Sequence, residues 1–137
     1  GVAAPGQLDA QAHFFRAALE TNAFAVYANL EALSVLEAGT PEVLHVCGGQ
    51  SKSAPFLHML ADTCGLPVQT YENAECTALG AALLAAKGSG YFTTLDEAAE
   101  AFVRPKEQII PQEEGMRVYR EVYARWRELR ARLVGLS

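Results

Sequence analysis

The apolar run Val43-Leu44-His45-Val46-Cys47 ends in a glycine pair, Gly48-Gly49, and Gln50-Ser51-Lys52-Ser53 then leads into a helical segment. The run is too brief for a helix, and its lack of polar alternation predicts a strand covered on both faces and central in a sheet. Two adjacent residues without Cβ let the backbone approach a ligand closely and adopt positive φ. A helix after them aims free N–H groups at any anion resting there. This handover predicts an α/β fold with half of a nucleotide site at the strand end, although such a pair taken alone is more often a plain tight turn.

Periodicity places the other elements around that turn. From Leu8 or Asp9 onward, Phe14, Phe15, Leu19, Val26, Tyr27, Leu30, Leu33 and Leu36 repeat at helical spacing, and Gly39-Thr40-Pro41 ends this long amphipathic helix. Ala54-Pro55 opens a second helix, with Phe56, Leu57 and Leu60 on one face and Gly65 as its stop. Pro67 to Tyr71 is a second short strand. Thr77 to Lys87, almost entirely Ala, Leu and Gly, is expected to be a buried helix whose backbone packs close to its neighbours, with Gly80 permitting the approach. Leu95 to Val103 forms a short helix, Arg104 to Pro111 an extended connector, and a last amphipathic helix runs from about Glu113 to Leu136. Its stripe of Tyr119, Val122, Tyr123, Trp126, Leu129 and Leu133 reads as core packing.

Composition bounds the function without naming it. The 137 residues, half of them apolar, make one domain by length, and a globule of this size buries roughly two-thirds of its unfolded surface. Sixteen acidic against 11 basic residues give a net charge of −5. With no basic run to neutralise consecutive phosphates, nucleic acid is not an expected partner. No apolar stretch reaches the roughly 18–20 residues that span a bilayer, and Gly1-Val2-Ala3-Ala4-Pro5-Gly6 lacks the regions of a signal peptide. The expectation is a cytoplasmic chain without a membrane partner. Cys47, Cys64 and Cys76 form no CxxC pair, which points to a reducing compartment and to thiols that serve packing.

Beyond the glycine pair the chain continues Ala61-Asp62-Thr63-Cys64-Gly65-Leu66-Pro67-Val68, then Glu75-Cys76-Thr77-Ala78-Leu79-Gly80-Ala81-Ala82, and closes with Gly88-Ser89-Gly90-Tyr91. In this order and spacing these residues resemble the C-terminal domain of the FGGY carbohydrate kinases: a glycine pair, a small polar residue, an Ala-Asp…Gly-x-Pro-Val segment and a Thr-Ala-Leu-Gly-Ala-Ala helix. The resemblance runs from about Phe14 to the end. In its first helix and tail the chain looks especially close to the autoinducer kinases, with the xylulokinases as the other near branch.

This resemblance implies a partial actin-like, ribonuclease-H-like C-terminal lobe, helix-rich with a small central sheet. Two strands alone make a marginal sheet, and the family's lobe begins with a strand meander that has no counterpart here. Gly1 in place of an initiating Met agrees with a truncated, processed or engineered chain. Residues 1–137 are therefore expected to be part of a C-terminal kinase domain without the upstream meander and the N-terminal lobe.

In the family, magnesium-bound ATP lies between two lobes, an aspartate takes the proton of the attacking sugar hydroxyl, and catalysis is mainly positioning and electrostatics. That aspartate, the phosphate-binding loop and the sugar pocket have no counterpart in these residues, so no catalytic residue is assigned and the chain alone is expected to be inactive. The resemblance implies ATP and Mg as cofactors, with ATP or ADP and a sugar-like substrate, held through the missing lobe, as partners. Self-association is left open. Nucleotide binding is carried over to Gly48 and Gly49, for backbone approach to ribose and phosphates, and to Gln50 and Ser53. Relatives often have Asn at the position of Ser53, where the amide reaches the adenine; a serine offers one shorter hydroxyl.

The other polar residues have simpler readings. Asp62 is expected to hydrogen-bond within a helix or loop, and Glu72 and Glu75 to complement a helix N-terminus. Lys52 reads as solvated, and His13, His45 and His58 lack metal-ligand spacing. Two alternatives stay open: a nucleotide-binding module of a chaperone-like actin-superfamily protein, and a structural fragment that binds nothing. The chaperone pattern lacks the Ala-Asp…Gly-x-Pro-Val segment.

Overall fold

The computed structural model describes residues 5–35, 39, 41–73 and 75–134, with side chains from Asp9 onward. Its elements are α1 (Pro5–Ser34), β1 (Leu44–His45), a 3-10 turn (Gly49–Lys52), α2 (Ala54–Cys64), β2 (Val68–Tyr71), α3 (Cys76–Gly88), α4 (Leu95–Phe102), β3 (Pro105–Ile109) and α5 (Glu113–Val134). Local chemistry sets several boundaries. Pro55 sits in the first turn of α2, and Gly65 ends that helix at φ 66°, its N–H donating to the Ala61 carbonyl at 2.8 Å. Thr94 Oγ1 accepts from the Glu97 N–H at 3.1 Å, and the Glu97 carboxylate accepts from the Thr93 N–H at 3.0 Å, a reciprocal cap for α4.

The sheet has three strands in the order β1-β2-β3. β1 and β2 are parallel, with Leu44 opposite Val68 and His45 opposite Gln69, whereas β2 and β3 are antiparallel, with Val68 opposite Ile109. Two expectations are corrected here. The stretch predicted as a connector contributes β3, hidden from pattern reading because its first four residues face solvent and only Ile109 reaches the core. The Val43–Cys47 run is an edge, since β2 takes the centre between β1 and β3, and β1 is regular only over a half-buried Leu44 and an exposed His45.

One sheet face carries Leu44, Val68 and Ile109 into a core with Phe56, Leu57, Leu60 and Ala61 of α2, and Ala23 of α1 closes it from behind. A second cluster joins the ends of the chain: Phe24 of α1 lies 6.1 Å, 5.7 Å and 5.8 Å, ring centre to ring centre, from Tyr119, Tyr123 and Trp126 of α5. The Tyr123 hydroxyl donates to Glu31, and Arg16 donates to the Tyr119 hydroxyl at 3.3 Å. The stripe on α5 is thus core packing as far as Trp126, with Leu129 and Leu133 exposed.

The predicted stripe on α1 is only partly used. Ala23 and Phe24 are buried, whereas Phe14 and Phe15 are 77% and 71% exposed; Leu36, like Leu136 at the other end, lies outside the described residues. Length contributes: thirty helical residues extend about 45 Å and the eleven of α2 about 16 Å, so α2 covers only the middle of α1, and α5 adds the contacts at Arg16, Phe24 and Glu31. α3 departs further from expectation. It packs against α4, none of its described residues is buried, and Leu84 is 61% exposed.

Candidate functional site

The strand end, the glycine pair and the start of α2 form one continuous turn. Gly48 stands at φ 81°, ψ −167°, a region that side chains other than glycine's scarcely enter. Its carbonyl accepts from both the N–H and the hydroxyl of Ser51, at 3.2 Å and 2.7 Å, so Ser51 fixes the orientation of the peptide that carries the glycines. Sequence reading missed this role. Gly49 opens the 3-10 turn, which fills the Gln50-Ser51-Lys52 stretch between the glycine pair and the N-cap of α2.

A Cβ built on either Gly48 or Gly49 meets nothing within 4 Å. At Gly48 the backbone angle alone demands glycine. At Gly49 neither the angle nor the packing does, and the bare backbone there faces open space. Of the other predicted contacts, the Gln50 side chain is exposed, and Ser53 occupies the N-cap position of α2 with a hydroxyl that caps nothing. These four positions lie on one short turn.

Next to this turn, on the sheet face opposite α2, is a cavity of about 260 Å³. His45, Cys47 and Tyr71 line its sheet side, Cys76, Leu79, Gly80 and Leu83 its α3 side, and Val103 and Arg104 its rim. The Tyr71 hydroxyl and His45 Nδ1 are hydrogen bonded across the strands, their rings stacked at 5.9 Å. The alternate positions of two paired strands, 45 and 47 against 71, are the signal that would have found this wall. Gly80, expected to admit a close helix contact, has nothing within 4 Å of a built Cβ and instead borders the cavity.

Cys47, expected to be packed, is exposed, and Cys76 opens α3 beside it. The Cys76 thiol pKa is raised, chiefly by the neighbouring Cys47 thiol and then by burial, while the Gly48 backbone opposes the shift. Cys64 does serve packing, at the edge of the main core, where burial pushes its thiol up to about 12.

The carboxylates sort as structural groups. Asp62 Oδ1 accepts from the Gln112 N–H at 2.7 Å, joining α2 to the start of α5 as the hydrogen-bonding reading requires. Glu75 holds the N-cap position of α3 but makes no capping hydrogen bond; the side-chain oxygen of Asn73 accepts from the Glu75 N–H at 2.9 Å instead. Glu72 engages through its backbone, which donates to the Arg104 carbonyl at 3.0 Å. Among the described residues no three His, Cys, Asp or Glu side chains converge on a metal position. A roomier groove of about 720 Å³, lined by Asp62, Arg120 and Arg127 among others, lies between α1, α2 and α5 and contains none of the four predicted contacts.

The family model for the FGGY family of carbohydrate kinases, C-terminal domain, matches residues 3–89. Xylulose kinase of Bacillus subtilis (strain 168) is 33% identical over 111 residues, 81% of this chain and 22% of that protein. Autoinducer-2 kinase of Klebsiella pneumoniae subsp. pneumoniae is 32% identical over 126 residues, 92% of this chain and 24% of that protein. Among solved structures, xylulose kinase from Rhodospirillum rubrum superposes with a TM-score of 0.74 at 31% identity, covering 90% of this chain and 25% of that one. Ligand-bound xylulose kinase from Lactobacillus acidophilus, at 23% identity and a TM-score of 0.71, shares the fold over 85% of this chain and 23% of its own.

The chain thus spans about a quarter of the length of the relatives it matches. Both branches suggested by the first helix and tail are among those relatives, and the chaperone alternative gives way. A matching family model, curated kinases above 30% identity and a superposable fold agree: the chain belongs to the FGGY family of carbohydrate kinases, in the C-terminal domain.

Proposed function

We propose that this chain supplies the nucleotide-binding part of an ATP-dependent carbohydrate kinase that phosphorylates a sugar hydroxyl. The observation that carries the reading is the unforced glycine at position 49, whose bare backbone faces open space beside a Gly48 held at positive φ. In this assignment Gly48 and Gly49 let ribose and phosphates approach the backbone, and Gln50 and the uncapped Ser53 hydroxyl supply polar contacts. Ser51 holds the turn in shape through the Gly48 carbonyl. Magnesium, when bound with ATP, neutralises charge on the phosphates. The chain's own part is to position the nucleotide, and positioning of this kind is a large share of phosphoryl-transfer catalysis.

Under the same proposal the chain works as one portion of a two-lobed kinase, the sugar, the catalytic base and any self-association being matters for the remainder. Support comes from relatives about four times as long. A sugar or sugar-like substrate is supported by the names of those relatives, xylulose kinase and autoinducer-2 kinase. A cytoplasmic setting without nucleic acid or membrane fits the acidic balance, and no helix among the described residues is long and apolar enough to cross a membrane.

Calorimetric titration with Mg-ADP tests the assignment, using the wild type and Gly49→Val with circular dichroism as the folding control. Saturable binding that disappears in a folded Gly49→Val protein supports it. A folded wild type that takes up no Mg-ADP makes the chain a structural segment of the family's fold.

A further inference from the structure

Cys47 and Cys76 are set apart from the third cysteine by position. Both thiols are free and both line the cavity beside the glycine turn, Cys47 from the sheet side and Cys76 from the first turn of α3. The two residues stand on facing sides of one cavity of about 260 Å³, which brings the strand end before the glycine turn and the first turn of α3 together; Cys47 is also the largest influence on the Cys76 thiol. The competing partner of Cys76 is weak, a thiol-to-carbonyl contact of 3.8 Å with Asn73. α3 has no buried residue among those described, which leaves it free of a core anchor. Cys64, by contrast, is packed against the main core and kept protonated.

We propose that Cys47 and Cys76 form a reversible disulfide on reaction with hydrogen peroxide, stapling the first turn of α3 to the glycine turn and closing this end of the cavity. The exposed Cys47 sulfur attacks the peroxide: an S–O bond forms, the O–O bond breaks, and the departing oxygen leaves as water. The Cys76 sulfur then attacks the sulfenic sulfur, forming the S–S bond as the S–O bond breaks and a second water departs. The two thiols together lose two electrons and two protons, and the peroxide takes up both. Because Cys47 precedes Gly48, the staple makes the proposed nucleotide surface redox-dependent, a consequence that rests on that functional reading; the disulfide itself does not.

The test is peroxide titration of the chain followed by intact mass, non-reducing peptide mapping and hydrogen exchange, on the wild type, Cys47→Ser, Cys76→Ser and Cys64→Ser. The expected product is a Cys47–Cys76 linked peptide within one chain, lighter by two hydrogen atoms, reversed by dithiothreitol, retained in Cys64→Ser and absent from the other two variants. Amides in the first turn of α3 exchange at least about tenfold more slowly in the oxidised protein. Sulfinic or sulfonic acids without a linked peptide, a link through Cys64, a link between chains, or unchanged exchange in α3 each overturn the proposal. Mg-ADP titration of the reduced and oxidised forms separates the two readings: a reduced chain that binds no nucleotide refutes the function and leaves the mass result to decide the staple.

Discussion

Gly115, in the first turn of α5, is held against the carboxylate of Asp62, and replacing it by alanine tests that packing directly. A Cβ there would overlap the carboxylate, with Asp62 Cγ 2.5 Å away and Asp62 Cβ 3.1 Å away. Rotating the Asp62 side chain moves its Cγ and oxygens but not its Cβ, so relief of the overlap breaks the hydrogen bond from the Gln112 N–H. Gln112 is exposed, which puts the loss at the lower end for a charged acceptor, about 1.5 kcal/mol. Alanine in place of glycine returns up to about 1 kcal/mol of helix propensity. The expected net effect of Gly115→Ala is destabilisation by about 0.5–1 kcal/mol. In an Asp62→Ala background the carboxylate overlap is gone and only the tight 3.1 Å contact between the two Cβ atoms is left, so the same substitution ranges from neutral to stabilising by up to about 1 kcal/mol. The propensity gain cancels between the two backgrounds, so the coupling between the sites is about 1.5 kcal/mol, the worth of the lost hydrogen bond. Urea unfolding of the four proteins, read as a shift in midpoint at constant slope, measures it. Equal effects of Gly115→Ala in both backgrounds would refute the contact.

Two further predictions follow from individual positions. Gly48→Ala forces a side chain into a region at φ 81° and lowers stability by about 1–3 kcal/mol, whereas Gly49→Ala changes the urea midpoint little and acts only on nucleotide binding; a large stability loss at Gly49 contradicts the open space beside it. The Cys64 thiol has a folded-state pKa near 12 against an ordinary 9.0. The folded state thus holds a proton that the unfolded state releases, and stability falls as pH rises from about 9 toward about 12. Cys64→Ala should flatten the fall in a series of alkaline unfolding curves, with the tyrosine titrations left in place, and an unchanged slope would count against this origin.

Much of this architecture was legible along the chain because local chemistry determined it. Pro55 and Gly65 bracket α2 in sequence as in space, and the apolar alternation of Val68 and Thr70 with their half-buried neighbours marks β2. The glycine turn was legible because φ and side-chain absence are properties of the residues themselves. What escaped depends on partners. β3 carries Lys106, Glu107 and Gln108 to solvent and shows its strand character only by pairing with β2. Nothing local distinguishes the buried Phe24 from the exposed Phe14 and Phe15, since the choice is made by where α5 docks. The proximity of Cys47 to Cys76 and the cavity they share follow from sheet register and from the path of α3, neither of which is written at either cysteine.

The aromatic cluster between α1 and α5 has a consequence for the order of folding. Arg16 meets Tyr119 across 103 positions and Glu31 meets Tyr123 across 92, so each contact closes a loop of most of the chain and forms only after that entropy is met. On a ribosome, α2 finds α1 and β1 finds β2 as soon as they emerge, but Phe24 and Tyr27 wait for their aromatic partners until α5 is made. A chain stopped before Tyr119 therefore presents an aromatic surface, and α5 acts as the closing piece that hides it.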